Sequence, residues 1–153
     1  MIGNQALKIR LHAFCLAYVE QRIETTQSAI TQAQWSANEE TKSSAGDKYE
    51  TGRALMQIEI EKNTAQINEA HKLKKALQLI KPDLTTSQVQ SGSLVLTNLG
   101  NYYLSVGAGQ CTLDGKVYFL ISPASPIGMK MLKLKAGDEF DLNGRRYLLE
   151  SVV

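Results

Sequence analysis

The stretch LAYVEQRIETTQSAITQAQWSA, residues 16–37, decides how the first half of the chain is read. Leu16, Val19, Ile23, Thr26, Ile30, Ala33 and Ala37 recur at alternating three- and four-residue spacing, the stripe that one helix needs to seat against another. Met56, Ile60, Ile67, Ala70 and Leu77 continue a similar seam further on. Between them Thr41-Lys42-Ser43-Ser44-Ala45-Gly46-Asp47 is small and polar, suited to a tight reversal. Asp47 is expected to cap the second helix, with Glu50 three positions later as its capping-box partner. The reading is a helix over about 5–40, a turn at 41–47 and a helix over about 47–80. Each arm would span roughly 45–50 Å at the usual helical rise. Two helices alone bury only a narrow seam, so much of each arm must be surface. Trp35, the single tryptophan, is expected to cover the seam, with a partner contact as the alternative.

Outward from this stretch the composition changes near residue 82. Residues 5–81 hold no proline, only Gly46 and Gly52 as glycines, and many residues that favour helices. Pro82 and the polar residues 83–88 end that regime, and most of the glycines follow. A domain boundary is placed here, with a helical hairpin over 1–81 and a β-rich unit over 91–153. Short strands are expected at 94–96, 102–106, 117–121, 139–142 and 146–149, separated by Leu99-Gly100-Asn101, Asp114-Gly115 and Asn143-Gly144. Asn143-Gly144 is a strong signal for a two-residue type I′ hairpin. A short helix over 126–134 is expected, with Ser125 as N-cap and Pro126 at its first position. The fold class is therefore α+β, an antiparallel coiled-coil hairpin followed by a β-rich domain.

The formal charge of +2 over 153 residues argues against binding driven by bulk attraction to nucleic acid or anionic lipid. Cys15 and Cys111 lie in opposite halves, outside any CxxC spacing, and His12 and His71 have no cysteine nearby. Buried thiols in a reducing compartment are expected. Lys8 and Arg10 interrupt the N-terminus, so no signal peptide is expected, and the apolar runs are too short to span a membrane. A cytoplasmic protein with no membrane partner is the expectation.

The sequence contains no P-loop and no nucleophile motif, and Gly107-Ala108-Gly109 lacks the context of a dinucleotide site. His12 and His71 read as helix-surface or seam residues rather than ligands. At the hairpin turn Glu39, Glu40, Asp47 and Glu50 gather carboxylates, interleaved with Lys42, Lys48 and Arg53. Oxygen ligands of that kind could hold Mg²⁺. The structural alternative is a capping box supported by the helix dipole. Pro123-Ala124-Ser125-Pro126-Ile127-Gly128 leads into the helix that carries Met129, Met131 and Leu132; methionines there serve a core or an adaptable binding surface.

Residues 121–140, from Ile121-Ser122-Pro123 through Ser125-Pro126-Ile127-Gly128 to Gly137-Asp138-Glu139-Phe140, resemble the C-terminal signature of Gre-type transcript-cleavage factors. Gly92-Ser93-Leu94-Val95 resembles the opening strand of the same domain, and the hairpin with its acidic tip extends the likeness over nearly the whole chain. The resemblance implies an FKBP-like fold for 91–153 and a transcription elongation factor associated with RNA polymerase and DNA binding. It implies that Ser125, Pro126, Ile127, Gly128 and Met131 contact the polymerase while the coiled coil enters the secondary channel. It further implies that Asp47 and Glu50 hold a Mg²⁺ shared with the polymerase, near the nascent RNA 3′ end, so that the polymerase's own hydrolysis is stimulated. The chain would need no cofactor of its own, would not be an enzyme by itself, and would act as a monomer. The family's tip reads Gly-Asp, two residues, Glu, Asn. Gly46-Asp47-Lys48-Tyr49-Glu50-Thr51 keeps the acidic spacing but carries Tyr49 and Thr51 where Ser and Asn are usual. An alignment on Tyr49 would instead put Lys42 and Ala45 at the acidic positions. A non-cleaving secondary-channel modulator or inhibitor is therefore the first alternative, and a peptidyl-prolyl isomerase or a coiled-coil adaptor the more distant ones.

Overall fold

The computed structural model describes the backbone of residues 3–42 and 46–153, and within that range the side chains outside 40–50. Two long helices, α1 (Asn4–Lys42) and α2 (Gly46–Leu79), precede six strands and one short helix. These are β1 (Leu94–Thr97), β2 (Asn101–Leu104), β3 (Gly109–Leu113), β4 (Lys116–Ile121), α3 (Pro126–Met131), β5 (Glu139–Leu142) and β6 (Arg145–Val152). The expected α+β class, a helical hairpin with a β-rich domain, is what the chain adopts. Its compact units do not coincide with the division into helices and strands. One joins Met1–Tyr18 to Lys75–Val153, and the other is Val19–Lys74.

In the unit Val19–Lys74, the Lys74 ammonium lies 3.6 Å from Glu20. Gln34, Ala37 and Asn38 share a surface recess with Arg53, Gln57 and Ile60. Early positions of α1 thus meet late positions of α2, so the helices run antiparallel. Val19, Ile30, Ala33, Ile67 and Ala70 bury the seam. Thr26 and Asn63 are buried with them, and the Asn63 amide is satisfied within α2 by donating to Glu59 at 3.2 Å. Trp35 does not cover the seam. It is 64% exposed because it falls between Ala33 and Ala37, about 200° around the helix from each at the usual 100° per residue. The expected turn at 41–47 lies in part outside the described residues.

In the other unit the strands form one sheet in the order β3-β4-β2-β1-β6-β5, antiparallel throughout except for the parallel pair β2–β4. Both faces are covered, which is why several strands read as continuous apolar runs instead of alternating. On one face Val95, Tyr102, Leu104, Tyr147 and Leu149 pack with Met131 of α3 and with Val89. On the other, Tyr103 meets α1 through His12. Asn143 and Gly144 both have positive φ, 53° and 78°, and join β5 to β6 with Leu142 opposite Arg145. That is the expected two-residue hairpin, whose backbone twist matches the strands it connects.

Three details depart from the sequence reading. β3, Gly-Gln-Cys-Thr-Leu, has no apolar run to signal it; its register with β4 and the positive-φ turn Asp114-Gly115 hold it. α3 stops at Met131 instead of continuing to 134. Leu132 leaves helical geometry, and Lys133 N–H and Leu134 C=O bond to Val89 instead, at 2.9 and 2.8 Å. Cys15, not Leu16, is the fully buried position in that turn of α1, because here the helix faces the sheet and not α2 alone.

Candidate docking loop, hairpin tip and helix anchor

Residues 122–131 form an interlocked loop and helix. Ser125 sits in extended geometry, φ −68° and ψ 157°, as the N-cap of α3. Its hydroxyl accepts from Gly128 N–H at 3.1 Å and donates to the Ser122 carbonyl at 2.6 Å. Ser125 N–H donates to that same carbonyl at 3.0 Å, and Ser122 Oγ accepts from Ala124 N–H at 3.0 Å. Pro126 follows at the first helical turn, where its missing N–H costs nothing. Gly128 is required by close approach. A Cβ there would collide with the Ser122 carbonyl oxygen and press on Ser125 Oγ. The result is a loop closed by its own hydrogen bonds that leaves Ala124 and Pro126 exposed on the domain surface.

The expected docking residues therefore fall at different depths. Pro126 is exposed, Ser125 and Ile127 are half-buried, and Gly128 and Met131 are buried. Met131, at 0% exposure, packs in the core, and Ile127 packs against it. Met129, not singled out for docking, is the exposed methionine of α3 at 61%. Helical phase could have found it: Pro126, Met129 and Lys130 share the face opposite Gly128 and Met131.

Asp47 and Glu50 lie in the first turns of α2. Their side chains are outside the described residues, and so are the expected capping box and the metal-holding pair. Among the described residues no group of three His, Cys, Asp or Glu side chains converges as a metal site. Among the same residues no helix is long and apolar enough to cross a membrane.

Sequence reasoning missed a polar stripe along the first turns of α1. The Lys8 ammonium, fully buried, donates to the carbonyls of Leu84 at 2.7 Å and Val153 at 2.9 Å. His12 Nδ1 lies 2.8 Å from the Tyr103 hydroxyl, and Ser105 Oγ donates to Cys15 Sγ at 3.3 Å. Positions 8, 12 and 15 fall on one helix face. Burial lowers the pKa of Lys8, with Asp83 opposing, and lowers that of His12, with a hydrogen bond to the Leu77 backbone opposing. Burial pushes Cys15 up to about 11, so the thiol stays protonated at neutral pH and is a poor nucleophile. Tyr103 is likewise raised by burial. These groups anchor α1 to the sheet; they do not constitute a reactive centre.

No protein-family model matches the sequence, and no curated protein matches it. A solved structure described as that of the transcription factor Gfh1 is similar at 18% identity. The match covers 90% of this chain and 92% of that one, with a TM-score of 0.39.

Proposed function

We propose that the chain is a Gre-like transcription factor whose partner is RNA polymerase. The carrying observation is that the loop bearing the Gre-type signature, residues 122–128, is closed by its own hydrogen bonds and reaches the surface at Ala124 and Pro126. Ser125 and Gly128 serve its geometry, which leaves Pro126 for contact. The two-helix hairpin supports the reading, since an arm with only a seam for a core leaves its outer faces to a partner. In this reading the β-rich domain is FKBP-like and docks through Ser125, Pro126 and Ile127, with Gly128 and Met131 as support from beneath. The coiled coil enters the secondary channel, where Asp47 and Glu50 share a Mg²⁺ with the polymerase close to the RNA 3′ end. Mg²⁺ there would stabilise charge on the attacking and leaving oxygens, and the chain's contribution is two carboxylates held at a helix start.

A capture experiment with core RNA polymerase, followed by a cleavage assay on stalled complexes, tests the proposal. Binding with stimulated cleavage is expected. Binding without cleavage would select the modulator reading, and absence of binding would end both. Mass measurement in solution should give a monomer; a concentration-dependent oligomer would favour an adaptor.

A further inference from the structure

The face of the sheet that turns away from α3 holds a cavity at the start of α1. Leu96 of β1 pairs with Asn101 of β2, and Asn101 with Tyr118 of β4, so these side chains stand in one row on that face. Glu150 of β6 and Lys116 of β4 extend this floor, and Asn4 and Leu7 of α1 close it from the helix side. The cavity measures about 690 Å³, within the range of small-molecule sites. All of it belongs to one compact unit, Met1–Tyr18 with Lys75–Val153.

Tyr118 is 4% exposed, and among the described residues its hydroxyl has no hydrogen-bond partner. No fully enclosed side-chain oxygen or nitrogen is left unsatisfied among those residues, so this hydroxyl opens into the cavity. A phenol buried to this degree ordinarily finds a partner for its O–H, and here the partner is whatever fills the cavity. The charges are arranged alike. Asp114 at the rim is held by Arg10 at 3.1 Å, whereas Glu150 and Lys116 have no ion-pair partner among the described residues. They stand on β6 and β4, three strand spacings or about 14 Å apart. Leu7 and Leu96, both half-buried, offer apolar surface between them.

We propose that this cavity binds a short zwitterionic peptide of about two apolar residues. Its ammonium meets Glu150, its carboxylate meets Lys116, and its amide bonds to the Tyr118 hydroxyl. A single amino acid carries both charges on one carbon. Two residues in extended form separate them by roughly 7 Å, and the side chains of Glu150 and Lys116 close the rest. The carboxylates of Asp114 and Glu150 disfavour a phosphate, and a wholly apolar ligand would strand the hydroxyl and both charges. The site stands apart from the polymerase reading and does not depend on it.

The test titrates the full chain with leucyl-leucine and follows the heat of binding and the backbone amide shifts. Shifts centred on the first turns of α1, β4 and β6 are expected. N-acetyl-leucyl-leucine and leucyl-leucine amide, each lacking one charge, should bind about tenfold more weakly. Glu150→Gln should erase the preference for the free ammonium, and Lys116→Gln the preference for the free carboxylate. Tyr118→Phe should weaken binding about fivefold while holding or raising the melting temperature, a pairing that a purely structural role for the hydroxyl does not produce. Absence of heat and of shifts at about 10 mM peptide overturns the proposal. So does equal binding of the free and blocked peptides, wild-type affinity in Tyr118→Phe, or shifts confined to the α3 face of the sheet.

Discussion

At the residue scale, small groups in the loop before α3 carry disproportionate weight. Ser125 satisfies two neighbours at once, so Ser125→Ala should cost about 0.5–2 kcal/mol, the usual range for an N-cap. Gly128→Ala meets the Ser122 carbonyl directly. Overpacking of that kind costs about 1–3 kcal/mol, and urea unfolding of both variants checks the order. His12 makes a pH-dependent contribution. Burial, the larger effect, holds its folded pKa below the ordinary value of 6.5. The unfolded chain therefore binds the extra proton first. Stability from this group is complete above about pH 6.5 and is lost as pH falls through the lower folded value. His12→Gln should shrink the difference in melting temperature between pH 8 and pH 5 relative to wild type. An unchanged difference would remove His12 from the account.

At the element scale, the two long helices are held by a thin seam. Ile67 and Ala70 on α2 and Val19, Ile30 and Ala33 on α1 are buried along the seam, and the buried polar Thr26 and Asn63 dilute its apolar character. Truncating Ile67 to Ala removes one of the larger side chains there and should cost about 2–4 kcal/mol. Amide hydrogen exchange should rise in Val19–Lys74 more than in the strands, since the substitution leaves the sheet's own core untouched. The β5–β6 hairpin behaves differently. Phe140 stacks on Tyr147 with ring centroids 4.7 Å apart, and Arg146 spans Glu139 and Asp141. Those charges also blunt an edge strand that would otherwise invite pairing with another chain.

At the scale of the whole molecule, the tip and the globular domain should separate experimentally. On the reading proposed above, Asp47→Ala with Glu50→Ala should abolish cleavage stimulation and leave polymerase affinity nearly unchanged, because an acid that holds a metal acts on charge developed in the transition state. Asp47→Asn distinguishes this from capping. Asn would preserve a capping role, since Asn and Asp cap about equally well, but would lose the charge. A fully active Asp47→Asn protein would leave Asp47 a cap alone. The cleavage assay and the binding assay together read the two outcomes.

Several features were legible in the sequence because they are set by local chemistry. The α2 seam follows from side-chain period. The Asn143-Gly144 hairpin follows from the positive φ that those residues tolerate, and the Ser125-Pro126 start of α3 follows from capping. The tertiary structure decided what depends on a second element. β3 exists because β4 supplies its hydrogen bonds. α3 ends early because Val89 captures Lys133 and Leu134. Cys15 rather than Leu16 is fully buried because α1 there meets a sheet, and no one-dimensional period registers a second packing partner. Lys8 could not be read as buried for the same reason: the backbone oxygens that accept its hydrogen bonds, at Leu84 and Val153, lie 76 and 145 residues away. Sequence alone establishes a pattern where a residue's neighbours are its own turn or strand. Where burial and hydrogen bonding are settled between distant segments, the contact itself supplies the free energy, and that becomes readable in the folded chain.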